Sequence, residues 1–222
     1  MRIVRFLGNR HAGYTRSEIA ENVGLSPNGD LTKMLKALIG GDFVTRYVPY
    51  GISQREEHYK LSDCFCWFWL HFKESRRITE TDYWQHHLRE SEIASWRGIA
   101  FEEVCMQHIQ QIKSGLQIAG VSSSESALIV TGDGSGDGMQ IDLLIDRNDD
   151  VVNVCEMKFY KSSFVVSKAY AGNVSKRIAR LESDAPSKSF RPTLISCEPL
   201  HLGEHSDIFT STLTLDDLFT AR

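Results

Sequence analysis

Apolar residues recur with the 3.6-residue period of amphipathic helices along the first forty positions of the chain. This spacing predicts a short helix over 2–10 and a longer one over 31–38. Between them, Thr15 and Glu18 form the pattern of a capping box, in which each side chain satisfies a backbone N–H at a helix start. A second helix is therefore expected to begin at Thr15 and to end at Gly24.

Residues 43–48 and 57–61 are short strand-like runs on either side of a Pro- and Gly-containing turn. Three helices followed by such a hairpin predict a winged helix-turn-helix domain over residues 1–62, whose third helix would enter a DNA major groove. Protein docking is the alternative role for such a domain. The residues predicted to contact nucleic acid lie on the third helix and the wing: Asn28, Thr32, Lys33, Lys36, Arg46 and Arg55.

Residues 63–97 form a bridge rich in aromatic side chains. Aromatics fall on nearly every side of a helix through 64–72, which predicts a helix buried between two domains. The alternative is a platform on which nucleic-acid bases stack. His86 and His87 are adjacent, so on a helix their side chains point about 100° apart, which disfavours a shared metal ion.

The second half of the chain mixes helical and strand-like periods. A helix is expected over 98–112 and another over 169–181. Strands are expected over 140–146 and 151–159, joined as a hairpin by a turn at 147–150. This order predicts an α/β (α+β) domain with a mixed central sheet over residues 98–222.

The predicted hairpin carries the most informative side chains. Alternation along a strand places Glu156 and Lys158 on one face, and Asp142 lies across the turn. A buried carboxylate is costly unless it is paired or binds metal. Two carboxylates bind Mg²⁺ or Mn²⁺ well, such an ion activates water against a phosphodiester, and a lysine stabilises the developing charge. Glu102 or Glu103, on the helix after Gly98, would add another carboxylate.

This acid, then acid-x-Lys, is the pattern of the PD-(D/E)XK nucleases. It makes Glu102, Asp142, Glu156 and Lys158 the predicted catalytic residues, with Asp142 and Glu156 as metal ligands. Two alternatives stay open. One is a Glu156–Lys158 salt-bridge network beside Asp142 that binds no metal. The other is a protein that kept the nuclease fold but lost the nuclease activity.

Composition and charge limit how the chain could bind nucleic acid, enter a membrane or form disulfides. The net charge is −4, so an overall basic footprint for nucleic acid is missing. Residues 1–62 carry +3 and the remainder −7, so nucleic-acid binding needs local basic patches or a metal. The richest apolar run, at 64–72, is half the length of a membrane span. Five cysteines without regular spacing argue against a disulfide framework, and a cytoplasmic location is expected.

Several segments resemble the C-terminal region of a family of predicted prokaryotic AAA-type ATPases. The resemblance runs through nearly the whole chain and implies a winged helix followed by a PD-(D/E)XK, restriction-endonuclease-like domain. It marks the same four residues, Glu102, Asp142, Glu156 and Lys158, and implies an ATPase domain or partner. The matching segments are Thr15-Arg16-Ser17-Glu18-Ile19, Tyr59-Lys60-Leu61-Ser62-Asp63, Trp96-Arg97-Gly98-Ile99-Ala100-Phe101-Glu102, Gln140-Ile141-Asp142-Leu143-Leu144-Ile145-Asp146-Arg147, Cys155-Glu156-Met157-Lys158-Phe159 and Leu215-Asp216-Asp217-Leu218-Phe219.

The sequence thus favours a metal-dependent nuclease, acting on DNA and targeted by a winged helix. The alternative is a non-catalytic DNA-binding or regulatory module with a degenerate nuclease fold. These two hypotheses differ in whether the site cuts. The form of the substrate and the oligomeric state are left open by the sequence.

Overall fold

The structure is a computed structural model that describes residues 2–26, 29–51, 56–74, 83–87, 91–130 and 138–220. The chain divides into two compact units, Met1–Glu103 and Val104–Arg222, called here the first and second units. Each contains a sheet, three-stranded in the first and five-stranded in the second. The predicted α/β (α+β) class with a mixed central sheet is confirmed. The predicted division at residues 62 and 97 stays a prediction.

The first unit follows the predicted order of helices and then a hairpin. The Thr15 hydroxyl accepts from the Glu18 amide at 3.3 Å, and the Glu18 carboxylate accepts from the Thr15 amide at 2.6 Å. Gly24 ends that helix with a φ of 66°. The elements up to residue 107 are α1 (Arg2–Leu7), β1 (Tyr14–Thr15), α2 (Arg16–Val23), α3 (Gly29–Gly40), β2 (Val44–Tyr47), β3 (His58–Leu61), α4 (Cys64–Phe68), a π-helical segment (Trp69–Glu74), α5 (Tyr83–His87) and α6 (Ser91–Gln107).

The core of the first unit lies between the helices and an antiparallel sheet of order β1-β3-β2. Leu7, Ile19, Leu31 and Leu61 are almost completely buried there. Strand β1 was not predicted, because a two-residue strand is too short to show a period. It pairs with β3 through Tyr14 and Thr15. The buried residues of α2 and α3 are apolar positions of the sequence pattern, whereas Met34 of α3 is 45% exposed.

The aromatic run at 64–72 differs from its prediction. Trp67 and Phe72 are buried, but Phe65 is 67% exposed and Trp69 is also exposed. The expectation of a helix buried on nearly every side is therefore wrong. The reason is periodic: Phe65 and Trp69 are four positions apart and share the outer face, with ring centroids 6.3 Å apart.

The helix predicted over 98–112 also differs in its bounds. It begins earlier, at Ser91, and it stops at Gln107, after which a new helix begins at Ile109. His108 lies between the two, with a non-helical ψ of 31°. Its ring Nδ1 is 2.7 Å from the carbonyl oxygen of Val104. A side chain that occupies a helical carbonyl competes with the backbone, which accounts for the break.

The second unit is built on a mixed sheet of order β4-β5-β6-β7-β8, antiparallel through β4, β5 and β6 and parallel through β6, β7 and β8. Residues 152–157 of β6 are all buried, as expected of a central strand. Helix α8 connects β6 to β7 and packs on the sheet through Val174. The elements are α7 (Ile109–Gly115), β4 (Ser123–Val130), β5 (Met139–Arg147), β6 (Val151–Lys158), α8 (Lys168–Asp184), β7 (Ser189–Ser196), a 3-10 turn (Ser206–Ile208), β8 (Ser211–Thr214) and α9 (Leu215–Phe219).

Candidate active site

The β5–β6 hairpin brings the predicted acidic residues to one end of its ladder. Its paired positions run from Asp146 opposite Val152 to Leu143 opposite Cys155. Asp142 and Glu156 are the next residues on their strands. On the other side of β5 the register shifts by one residue near this point, since β4 pairs at Leu144 and again at Ile141. Such a bulge turns a strand and re-aims side chains beside functional sites.

Asp142 closes the end of the ladder with its side chain. Its Oδ2 accepts a hydrogen bond from the backbone N–H of Met157 at 3.3 Å. The carboxylate is half-buried, and Oδ1 has no hydrogen-bond partner among the residues that the structure describes. One oxygen of Asp142 is therefore anchored, while the other can bind a ligand.

Glu156 is only 4% exposed and is held by three side chains. Its Oε2 accepts from the Tyr170 hydroxyl at 3.0 Å, and the Lys158 Nζ lies 3.6 Å from the same oxygen. Its Oε1 accepts a short charge-assisted bond from Nη1 of Arg177. The two carboxylates at this site are thus balanced by two cations. Because these cations offset its charge, the Glu156 carboxylate can be buried without a large cost in folding free energy.

Helix α8 supplies two of these partners. Tyr170 and Arg177 are seven positions apart, which is two helical turns, so they lie on the same face. Val174 lies between them on that face and is buried in the core. Arg177 also donates to the backbone carbonyl of Gln140 at 3.3 Å. The helix therefore fixes both side chains over the ends of β5 and β6.

Tyr170 and Arg177 are not among the site residues that the sequence predicts. A signal was present in the sequence. Tyr170, Val174, Arg177 and Leu181 recur at helical spacing on the apolar stripe of α8. A cation on the stripe that faces a sheet needs an acidic partner, and Glu156 is that partner.

The surroundings of Tyr170 raise the pKa of its hydroxyl. Burial raises the pKa of its hydroxyl strongly, the negative charges of Glu156 and then Asp142 raise it further, and Arg177 opposes them. The hydroxyl therefore stays protonated and donates to Glu156 at all ordinary pH values. Its ring is braced by Phe164 in an edge contact of 5.2 Å, and Tyr160 stacks on Phe164 at 4.9 Å.

Glu102 lies in the first unit, unlike the other three predicted catalytic residues. Its Oε2 is 3.5 Å from Nδ1 of His11. The neighbouring Glu103 is the more buried of the two and is held by His11 and Lys60. The assignment of Glu102 to the active site stays a prediction.

The predicted nucleic-acid contacts have different surroundings. The Thr32 hydroxyl accepts from Arg16 at 2.7 Å, and Arg46 pairs with Glu57 at 3.1 Å. Lys33 and Lys36 are exposed on α3, with Asp30 3.9 Å from the Lys33 Nζ. The other two predicted contacts, Asn28 and Arg55, lie outside the described residues.

A metal site would have to be built from few protein ligands. Within the described ranges, no group of three or more His, Cys, Asp or Glu side chains is arranged to hold a metal ion. The donors here are the Asp142 and Glu156 carboxylates. This set fits Mg²⁺, which is bound by one or two carboxylates and keeps several waters.

Comparison with known proteins gives little. No family model matches the chain, and no curated protein matches it. A crystal structure of the protein of unknown function AF1548 is similar to part of the chain, with 14% identity and a TM-score of 0.36. The match covers 52% of this chain and 64% of that chain. Among the residues that the structure places, no helix is long and apolar enough to cross a membrane.

Proposed function

We propose that this protein hydrolyses phosphodiester bonds in DNA, with Asp142, Glu156 and Lys158 as the reactive group and residues 1–62 as the targeting module. The observation that carries the proposal is the arrangement around Glu156. A buried carboxylate, a partly exposed lysine and a second carboxylate with an available oxygen meet where two strands separate. An ATPase partner and a cytoplasmic location, both expected from the sequence, belong to the same proposal.

Asp142 Oδ1 and the Glu156 carboxylate are the oxygens that would hold Mg²⁺ or Mn²⁺. When bound, the ion would polarise the phosphodiester and lower the pKa of a bound water. Two carboxylates satisfy the preference of this hard ion for oxygen ligands.

The residues around these carboxylates have separate roles. Lys158 is 29% exposed, so its ammonium can contact a phosphate oxygen and stabilise the charge that develops there. Tyr170 donates to Glu156 and fixes the orientation of its carboxylate. Arg177 neutralises Glu156 when no metal is bound, and it competes with a metal for the same charge.

The test is cleavage of supercoiled plasmid DNA by the full chain with Mg²⁺ or Mn²⁺. We expect Asp142→Ala and Lys158→Ala each to lower the rate by about 100-fold or more, as loss of a charge-stabilising group does in other active sites. Lys161→Ala is the matched control, since Lys161 is an exposed lysine that lies three residues after Lys158, beyond the end of β6. Equal cutting by wild type and both site variants would contradict the proposal and indicate a contaminant.

The second candidate function is a non-catalytic DNA-binding or regulatory module. The Arg177–Glu156 pair favours it, because a guanidinium on Glu156 satisfies the carboxylate without metal. This candidate predicts salt-dependent binding of duplex DNA, no cleavage with either metal, and binding that Asp142→Ala leaves unchanged. Cleavage that requires Asp142 would eliminate it.

A further inference from the structure

A polar cavity lies on the face of the five-stranded sheet opposite to Glu156. It has a volume of about 350 Å³ and is lined by Leu116, Ile118, Arg147, Asn153, Arg191 and Ser211, among others. Asn153 is on β6, three positions before Glu156. Because successive side chains of a strand point to opposite faces, Asn153 and Glu156 face opposite sides of the sheet. This arginine cavity is therefore separate from the candidate active site.

Asn153 lines the cavity and carries a buried acceptor that no group of the described residues uses. The residue is 4% exposed, and its Nδ2 donates to the Thr193 hydroxyl at 3.3 Å. That hydroxyl donates to the Arg191 carbonyl, so it must accept from Asn153, which fixes the amide orientation. The Asn153 Oδ1 is then left buried, with no donor among the described residues. A buried acceptor in this state favours a ligand that donates a proton to it.

Two arginines give the same cavity its donors. The Nε of Arg147 is buried and donates to no group in the described ranges, while its Nη2 pairs with Asp149. Arg191 is opposite Asn153 in the parallel β6–β7 register. Its side chain is exposed and has no ion-pair partner among the described residues. The cavity therefore combines one available guanidinium, a second with a free N–H, and an unused acceptor.

We propose that the arginine cavity binds a hydrogen phosphate group. Guanidinium N–H groups match phosphate oxygens in geometry and charge. The P–OH group donates to Asn153 Oδ1, which a sulfate or carboxylate cannot do at neutral pH because neither carries a proton. The ligand is either free inorganic phosphate or the terminal phosphate of a small molecule whose body lies against Leu116 and Ile118. This site goes beyond the proposed hydrolysis and does not depend on it.

The test is isothermal titration of the full chain with inorganic phosphate and with sulfate at matched ionic strength. We expect phosphate to bind about tenfold more tightly than sulfate, since only phosphate satisfies the buried acceptor. Arg191→Gln, an exposed substitution, should weaken both anions by about tenfold. Asn153→Ala should remove the preference for phosphate while both anions still bind. Lys176→Gln is the control, because it removes an exposed cation from α8 and should change neither affinity.

Three results would overturn the proposal. The first is the absence of binding by either anion at about 10 mM, which would mean a Kd weaker than the millimolar range. The second is equal affinity for sulfate and phosphate in the wild type. The third is an equal loss in Lys176→Gln and Arg191→Gln, which indicates general surface attraction only. None of these involves DNA cleavage, so a failure here is distinct from a failure of the proposed hydrolysis.

A pH series with a phosphate monoester tests the role of the ligand proton and distinguishes the two sources of phosphate. At about pH 6, where both ligands carry a proton, tighter binding of phenyl phosphate than of inorganic phosphate indicates a phosphorylated small molecule, and the reverse indicates inorganic phosphate. A monoester such as phenyl phosphate loses its last proton near about pH 6, whereas inorganic phosphate keeps one proton well above neutral pH. Binding of the monoester that weakens between about pH 6 and pH 8, with unchanged binding of inorganic phosphate, supports the proton-reading role of Asn153. Binding of both that is independent of pH would contradict it.

Discussion

Within the part of the chain that the structure describes, two glutamates are almost fully buried, one in each unit, and both are held by a lysine and at least one other donor. In the first unit, Glu103 is 1% exposed and accepts from Lys60 at 2.5 Å and from His11 Nε2 at 3.1 Å. In the second unit, Glu156 is bound by Arg177, by Tyr170 and more distantly by Lys158. Residue type and burial alone therefore do not distinguish a structural ion cluster from a candidate site.

Access to solvent distinguishes the two clusters. Lys60 is almost as buried as its partner, with a side chain only 11% exposed, so the lysine of the first cluster, called here the closed cluster, is shielded from solvent even though His11 is 21% exposed. The pKa of Glu103 is raised by burial but is lowered overall, because the His11 hydrogen bond and the Lys60 charge stabilise its ionised form. Around Glu156, by contrast, both Lys158 and Arg177 are partly exposed, and Asp142 adds a free oxygen. Of the two lysines, only Lys158 is accessible to a ligand.

The largest effect is expected when one cation is removed from the closed cluster. Lys60→Met leaves Glu103 with His11 alone and should destabilise the first unit by about 3 kcal/mol, because a buried charge loses its main partner. Lys158→Met, at a partly exposed pair, should cost less than about 1 kcal/mol. All four tryptophans of the chain lie in the first unit, so urea unfolding followed by tryptophan fluorescence measures the effect of Lys60→Met. Hydrogen exchange of the β5 and β6 amides measures the effect of Lys158→Met in the second unit.

The control for that measurement is the double variant Lys60→Met/Glu103→Leu. Replacing both members of a buried pair by apolar residues removes the uncompensated charge, and most of the lost stability should return. A Lys60→Met protein as stable as wild type would show that the cluster is not closed.

A smaller loss of stability is expected when a cation is removed from the candidate site, and Mg²⁺ should partly reverse it. Arg177→Met should destabilise the second unit by about 2 kcal/mol in metal-free buffer, since Glu156 keeps Tyr170 and Lys158. Mg²⁺ should recover roughly 1.4 kcal/mol at about ten times its Kd. Hydrogen exchange of the β5 and β6 amides measures both changes.

Lys60→Met is the matched control for metal rescue. Its cluster is closed, so Mg²⁺ should not restore its stability. Equal rescue of both variants, or rescue of neither, would mean that the Glu156 cluster does not bind the ion in preference to the Glu103 cluster.

The smallest expected difference is in pH dependence. The pKa of Glu103 in the folded chain lies below its ordinary value of 4.5. Its contribution to stability is therefore fully present above 4.5 and is lost as the pH falls through the folded pKa. The Lys60→Met/Glu103→Leu variant should show a flatter decline in acid than wild type, as measured by urea midpoints from tryptophan fluorescence. If the double variant loses stability in acid as steeply as the wild type does, Glu103 is not the source of that loss.

The two clusters also differ in how far the sequence could predict them. Asp142, Glu156 and Lys158 were found because a hairpin with a short turn places them together by local geometry alone. Lys60 and Glu103 are 43 positions apart, and His11 and Glu103 are 92 apart. No period or motif connects residues at such separations, so the closed cluster was not predicted, and Glu103 was singled out less than Glu102.

The sequence by itself determined the α2 capping box, the course of β5 and β6 and the acid-x-Lys pattern, since each depends on residues within one element or one tight turn. The tertiary structure alone decided that Arg177 and Tyr170 lie over Glu156, because the direction in which α8 packs on the sheet is set by the whole core. It likewise decided that Asn153 and Arg191 share one cavity, since parallel strands become neighbours only through the crossover that joins them.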